Sequence, residues 1–591
     1  MTETLKPNNF LYEDAPAFLV EYRGNFLEEM SKISYGIGSI ITDTLALVSI
    51  PLEFKEQLRK DVPSITFISP RSVFLLQDIP PSSIDSISTI KINPYLNLTG
   101  NDVIVGMIDT GIDYLNKEFI REDNSSRILN IWDQTILNTP EDSMYIGKIY
   151  TNDDINRAIE EHKKGADPYK IVPSKDEEYH GTQMASIIGA RGYNEKIEGI
   201  AKDCDFAIVK LLPSPNYSKR LRENNLPYVP VYNNSEVLSA IEYLVKIKKK
   251  LKRPMVIYLG VGSQDVPHDG SNIIDKYISY LSNQRGLVLV TGTGNNAADE
   301  GHVSNYIKNE GSIETVELLV TKEMKLFNFD IWVKKPNVMS FRISSPSGEV
   351  SNFMKTKLKQ TEEKFFILSN TKLTIEGNNP QEYTGHQNFS LTFHNIKSGI
   401  WKIELRGDHI IDGRYDIWLP NKLVIPEGTK FLQSTPYNTL TIPSTSTNVI
   451  SVSYYNSITN TSVSSSGKGF NTNGFINPDI ITAGINISTV SKPNSPISTA
   501  SGSSAATAII AGVCTLILQW GIIYGNDTTM NSTKIKSLLI YGAQRDPSID
   551  YPNETEGYGR LDLFKSFNIL GGNYIENISS RLYIRLPKNI I

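Results

Sequence analysis

The chain has 591 residues, of which 39% are hydrophobic and 21% charged, and it carries a net charge of −5 at neutral pH. This is the composition of an ordinary folded protein, long enough for about four average domains with large cores. The acidic balance gives no footing for nucleic acid, and two cysteines, Cys204 and Cys514, cannot build a disulfide framework. They read as buried free thiols.

The N-terminal segment "MTETLKPNNFLYEDAPAF" has no basic start and no apolar run of signal-peptide length. No segment reaches the roughly 18 uninterrupted apolar residues that a membrane span needs. The expectation is a protein made in the cytoplasm, not exported by the usual route, with an internal and regulated role.

Residues 1–96 form a separate unit in this reading. "AFLVEYRG" and "LALVSIP" read as strands, "LEFKEQLRKDV" has helical periodicity, and "SITFIS" and "SVFLLQ" supply two further short strands. Strands interleaved with helices over this length suggest a ferredoxin-like α+β unit. The segment "QDIPPSSIDSIST", rich in Pro, Ser and Asp, reads as an exposed linker.

Residues 97–302 carry an α/β pattern. "DVIVGMID", "FAIVKLL", "MVIYLGVG" and "GLVLVTGTG" are near-continuous apolar runs, as expected for parallel strands covered on both faces. Between the second and third, Val237, Leu238, Ile241, Leu244 and Val245 keep a 3.6 period from a start near Ser235. The basic end of that helix, "KIKKKLKR", reads as favourable charge at a helix C-terminus rather than an anion site.

From 303 to 435 the pattern becomes short alternating strands with polar turns, which predicts an inserted antiparallel sandwich or jelly roll. Trp332, Trp401 and Trp418 lie in this stretch, where they could stack on sugars or form core. The α/β pattern resumes over 436–591 with "NVISVSYYN" and "NPDIITAG", and 566–591 reads as a terminal strand pair. The insertion accounts for the long gap between His180 and Ser504.

Three segments carry chemistry. Asp109 ends the strand "DVIVGMID", at the sheet edge where open α/β sheets place their sites. His180 opens "HGTQMASIIGA", a segment that reads as a helix. Ser504 sits in Gly502-Ser503-Ser504-Ala505-Ala506 ahead of a long apolar helix. Together they supply a carboxylate to orient an imidazole, a general base and a nucleophile. The helix N-terminus beside Ser504 adds positive potential where an oxyanion would form. On chemistry alone Ser501 and Ser503 compete with Ser504; position in the motif favours Ser504. Asn295, in "LVTGTGNNAADEGH", offers an amide donor for the oxyanion, with Asn296 as the fallback. No metal-ligand cluster and no cofactor motif is legible, although a calcium site in loops stays open.

The chain order Asp, His, Ser is the one found in subtilisin. The sequence resembles the subtilisin-like serine proteases over about 97–300 and 440–565, and within them the Csp germination proteases of spore-forming clostridia. The resemblance rests on "LNLTGNDVIVGMIDTGIDYLNKEF", "RILNIWDQTI", "YHGTQMASIIGA", "GSQDVPHDGSN" and "GTGNNAADEGH". It implies triad roles for Asp109, His180 and Ser504, an oxyanion role for Asn295, and substrate binding by Gly260, Val261 and Gly262. It implies a prodomain that acts as a folding chaperone, autocleavage within 77–97, and a jelly-roll insert. Its implied substrate is the zymogen of a cortex-lytic hydrolase, its implied place of work the spore, and its further partners other Csp proteins.

Three positions depart from the family pattern. Ser503 stands where threonine is usual, Ala508 where proline is common, and Gly260 opens the substrate-binding segment in place of serine. Some Csp members have lost triad residues, and this chain keeps all three. The alternative reading is a signalling scaffold or germinant sensor without enzymatic work.

Overall fold

The computed structural model describes residues 16–69, 72–76, 98–137, 144–193, 197–355, 360–492 and 498–570. The expected linker and cleavage region, 77–97, and the tail from 571 onward lie outside the described residues.

The N-terminal unit runs strand Ala17–Tyr22, helix Phe26–Met30, strands Ile37–Ile40 and Leu45–Ser49, helix Lys55–Asp61, strand Ile65–Ile68. Its four strands form one antiparallel sheet, with Leu45–Ser49 and Ala17–Tyr22 at the centre. This strand-helix-strand-strand-helix-strand order is that of a ferredoxin-like unit. Phe18, Val20 and Val48 point to one face and pack with Phe26, Met30 and Leu58 of the two helices. Leu19, Leu45 and Leu47 point to the other face and enter the core shared with the central domain. The period of two in these strands thus serves two cores at once.

One expected member of that sheet is not in it. "SVFLLQ" forms the strand Val73–Leu76, but it pairs with Tyr232–Asn233 on one side and Val261–Gly262 on the other, antiparallel to both. Apolar alternation shows that a segment will be a strand; it does not say which neighbours supply its hydrogen bonds.

The central domain is built on a nine-stranded sheet. Ile450–Asn456, Leu287–Gly292, Met255–Leu259, Ile104–Asp109, Asp205–Lys210 and Ile128–Asp133 lie side by side in that order, all parallel. Val105, Met107, Val256, Tyr258, Val288 and Val290 face the helices His180–Gly189 and Ser503–Leu518. Ile104, Ile108, Ile257, Leu259 and Leu289 face the helices Asn234–Leu251 and Ile273–Leu281. Both faces are covered, which is why these strands are apolar throughout.

The helix Ser503–Leu518, continued as a π turn through Ile523, is long and apolar enough to cross a bilayer, and 89% of its most apolar stretch is buried inside the protein. It is the core helix of the domain. Cys514 lies on it, and both cysteines are buried and free. Burial pushes the Cys204 thiol up to about 12 and raises that of Cys514 as well.

Between His302 and Phe431 the chain forms a six-stranded and a five-stranded antiparallel sheet. The inner faces of the two share one core, which includes Phe327, Leu391, Phe341 and Trp401. Trp332, Trp401 and Trp418 are all buried, so none presents a face for a sugar. Trp418 is stacked between His268 and His302, with ring centroids at 4.4 and 4.7 Å.

The terminal strand pair expected from residue 566 is not formed at its start. Leu563–Leu570 is a helix that buries Leu563 and Phe567. Those two residues are four apart, a helical spacing that outweighs the β-branched character of the residues further on.

Candidate active site

Three adjacent strands deliver the site. Asp109 ends Ile104–Asp109, Gly260 follows Met255–Leu259, and Asn295 lies just beyond Leu287–Gly292. The register pairs Leu259 with Ile108 and Thr291, so these positions sit together at the C-terminal edge of the sheet.

Asp109 is 1% exposed and His180 3% exposed. His180 Nδ1 lies 2.7 Å from Asp109 Oδ1, and the Thr110 N–H donates to the same oxygen at 2.7 Å. An ionised carboxylate accepts, so Nδ1 carries the proton and Nε2 is left as the basic nitrogen. His180 is the first residue of its helix. Gly181 lets that helix approach, because a Cβ there would lie 2.2 Å from the Gly111 carbonyl oxygen and 3.2 Å from Asp109 Cβ.

Ser504 stands in the first turn of Ser503–Leu518 and is fully buried. The two competing hydroxyls are committed elsewhere. Ser501 Oγ accepts the Asn486 N–H at 2.9 Å, and Ser503 Oγ accepts the Gly294 N–H at 3.0 Å. Ser503 also orients the amide: its N–H donates to Asn295 Oδ1 at 3.0 Å, which turns the Asn295 NH2 group away from that contact. Asn296, the fallback, donates to Asp299 at 2.6 Å. Serine in place of threonine at 503 therefore keeps a hydroxyl at the Gly294 amide.

Tyr258 links the strand edge to the Ser504 helix. Its hydroxyl lies 3.5 Å from the Ser504 carbonyl oxygen. A Cβ at Gly260 would sit 2.3 Å from Asp109 Oδ2 and 2.8 Å from the Tyr258 hydroxyl. Asp109 and Tyr258 thus close around a single glycine. Glycine replaces serine at 260 because no side chain fits there.

Val261 and Gly262 form a short strand beside this cluster. The strand Val73–Leu76 lies against it, with Leu76 opposite Val261 and Leu75 opposite Gly262. On its other edge Phe74 is opposite Tyr232 and Val73 opposite Asn233. An extended peptide held between two strands is how a cleft binds a polypeptide through its main chain. Burial, and then the charge of Asp109, hold the Tyr232 phenol well above its ordinary range, so it stays neutral. Among the described residues no group of three or more His, Cys, Asp or Glu is arranged to hold a metal.

The profile of the subtilase family of peptidases matches residues 100–318 and 431–559. The chain belongs to the subtilase family. It is a subtilisin-like serine endopeptidase, and the two matched segments flank most of the β insertion. The solved structure of the Clostridium perfringens CspB protease is 29% identical, with a TM-score of 0.73, over 83% of this chain and 97% of that one. Fervidolysin from Fervidobacterium pennivorans, described as a keratinolytic enzyme related to subtilisin, is 11% identical, with a TM-score of 0.46, over 93% of this chain and 60% of that one. The patellamide maturation protease PatA is 14% identical, with a TM-score of 0.39, over 80% of this chain and 98% of that one. No curated protein sequence matches the chain. Within that family the chain is similar in fold to the CspB protease along nearly the whole of that structure.

Two groups of the site carry no local signature in the sequence, and Ser503 reads only as a competing hydroxyl and a departure from the family pattern. Tyr258 reads as one more apolar strand residue. Asp176, which tethers the loop before His180, reads as a loop acid. Glycine at 260, where the family resemblance leads one to expect serine, is the one sequence clue that Tyr258 and Asp109 crowd that position.

Proposed function

We propose that Asp109, His180 and Ser504 act as the catalytic triad of this protease and that it first cleaves its own chain within 77–97. The observation that carries the reading is the buried 2.7 Å hydrogen bond between His180 Nδ1 and Asp109 Oδ1. It fixes the tautomer in which Nε2 takes the proton from the Ser504 hydroxyl. Ser504 Oγ then bonds to the peptide carbonyl carbon, and the carbonyl oxygen gains the negative charge. The Asn295 amide and the Ser504 N–H at the helix N-terminus stabilise that charge. His180 returns the proton to the leaving amine as the C–N bond breaks, and water releases the acyl group by the same steps in reverse roles.

The strand Val73–Leu76 supports self-processing. It runs along Val261–Gly262 as a peptide substrate would, and the chain continues from it directly into 77–97. Residues 1–96 are in this reading the prodomain, a folding template and a first substrate. The Gly260-Val261-Gly262 segment binds substrate through its backbone.

The protein substrate we propose is the zymogen of a cortex-lytic hydrolase, activated in the spore during germination. The resemblance to the Csp germination proteases supports this, and so does the likeness to the CspB protease.

The test is covalent labelling with a fluorophosphonate, together with the intact mass of the purified chain. The wild type takes one label and is shortened from its N-terminus; Ser504→Ala does neither. Equal masses for the two proteins would end the self-processing reading. Absence of label on the wild type would end the triad reading.

A further inference from the structure

Asp176 has no part in the steps above, yet it lies four residues before His180 and is 8% exposed. We infer that Asp176 is a positioning residue for the Asp109–His180 pair, one that locks the strand end bearing the first to the helix start bearing the second. The inference rests on the triad reading given above.

Four hydrogen bonds converge on this carboxylate. Oδ1 accepts the Thr110 hydroxyl at 2.7 Å and the Tyr179 N–H at 2.9 Å. Oδ2 accepts the Thr182 N–H at 2.8 Å and the Thr182 hydroxyl at 2.7 Å. Two of the donors belong to the His180 helix, one to the residue before it, and one to the residue after Asp109. Thr110 Oγ1 in turn accepts the Gly181 N–H at 2.9 Å, and Thr182 Oγ1 accepts the Asp113 N–H at 2.9 Å. A chain of carboxylate, hydroxyl and amide therefore runs beside the Asp109–His180 bond and joins the same two elements.

Tyr179 makes the need for such a lock visible. It holds a left-handed backbone at φ 67° and ψ 4° immediately before His180. A non-glycine residue there is strained and persists only when its surroundings hold it. Asp176 supplies one of those holds through the Tyr179 N–H. Release of that turn would swing the imidazole off Asp109, and a displacement near 1 Å costs about 10²-fold in rate.

An ordinary helix cap would need only the bonds to Thr182. The bond to Thr110 crosses to another element, and that difference gives the test. Asp176→Asn, Thr110→Val and Thr110→Ser are made in the full chain. Active sites are titrated to completion with fluorophosphonate, and kcat and KM on a peptide substrate are measured per titrated site. Asp176→Asn and Thr110→Val should lower kcat by about 10- to 100-fold. KM should stay within about twofold, and Thr110→Ser should restore kcat.

A role confined to folding would lower the number of titratable sites and leave kcat per site unchanged, and that result overturns the inference. So does a Thr110→Val enzyme as fast as Thr110→Ser. If Asp176→Asn does not fold, the threonine pair decides alone. A wild type that takes no label defeats the triad reading itself, whereas a labelled wild type matched by its variants defeats only the role of Asp176.

Discussion

Replacement of Gly260 by alanine tests how tightly the site is packed. The added carbon would meet Asp109 Oδ2 at 2.3 Å and the Tyr258 Cε1 and hydroxyl at 2.8 Å, whereas ordinary contact begins at 3.4 Å. Asp109 must give way by roughly 1 Å and Tyr258 by roughly 0.6 Å, in an interior packed like a crystal. Tyr258 is fully buried, and Asp109 is held by two hydrogen bonds of 2.7 Å. Overpacking of this kind costs about 1–3 kcal/mol of stability. If the carboxylate yields, the imidazole loses its alignment and the rate falls by about 10²-fold. The readouts are the second-order rate of fluorophosphonate labelling, kcat on a peptide, and the thermal midpoint. Gly260→Ser, the residue usual in the family, should be no better than alanine. An alanine variant that labels at the wild-type rate with an unchanged midpoint would show that the cleft is looser than these distances state.

Phe74, fully buried in the core shared with the central domain, anchors the strand in the cleft; Phe74→Ala should weaken that docking by about 3–5 kcal/mol, and the full chain should then turn over an added peptide faster than the wild type. The Arg127 guanidinium, buried, donates to the carbonyls of Glu118, Gly189 and Cys204 and so ties down the C-terminal end of the His180 helix; Arg127→Met should lose about 3–5 kcal/mol in urea unfolding. His268, buried against Trp418, is pushed down to about 4 by burial, from an ordinary 6.5. Its folded value is depressed, so it favours the folded state fully above pH 6.5, and that stability is lost as the pH falls toward 4. Phe in its place should shrink the fall in stability across that window by about 3 kcal/mol, read as urea midpoints at the two ends.

The α/β core was legible because its strands are buried on both faces and its helices keep their period; Val237 to Val245 lie on the helix that their spacing predicts. Asp109 and His180 were legible as local motifs, and their contact follows from where the strand ends and the helix begins. The destination of Val73–Leu76 was not, because strand pairing is a long-range choice that local alternation does not encode. Asp176 and Tyr258 stayed hidden for a related reason, as did the role of Ser503 in orienting Asn295: each involves a partner far away in the chain. The helix Leu563–Leu570 was missed where few residues remained to establish a period.

On the proposed reading, in which Val73–Leu76 fills the substrate cleft, that segment sets the kinetic order of everything that follows. While Val73–Leu76 is tethered, its local concentration is fixed by the fold, so diluting the protein cannot relieve the blockage. A cut downstream would turn the tether into a separate ligand present at one copy per enzyme. Activity per mole would then climb as the solution is thinned, and a rival polypeptide would have to outcompete a strand already hydrogen-bonded on both edges.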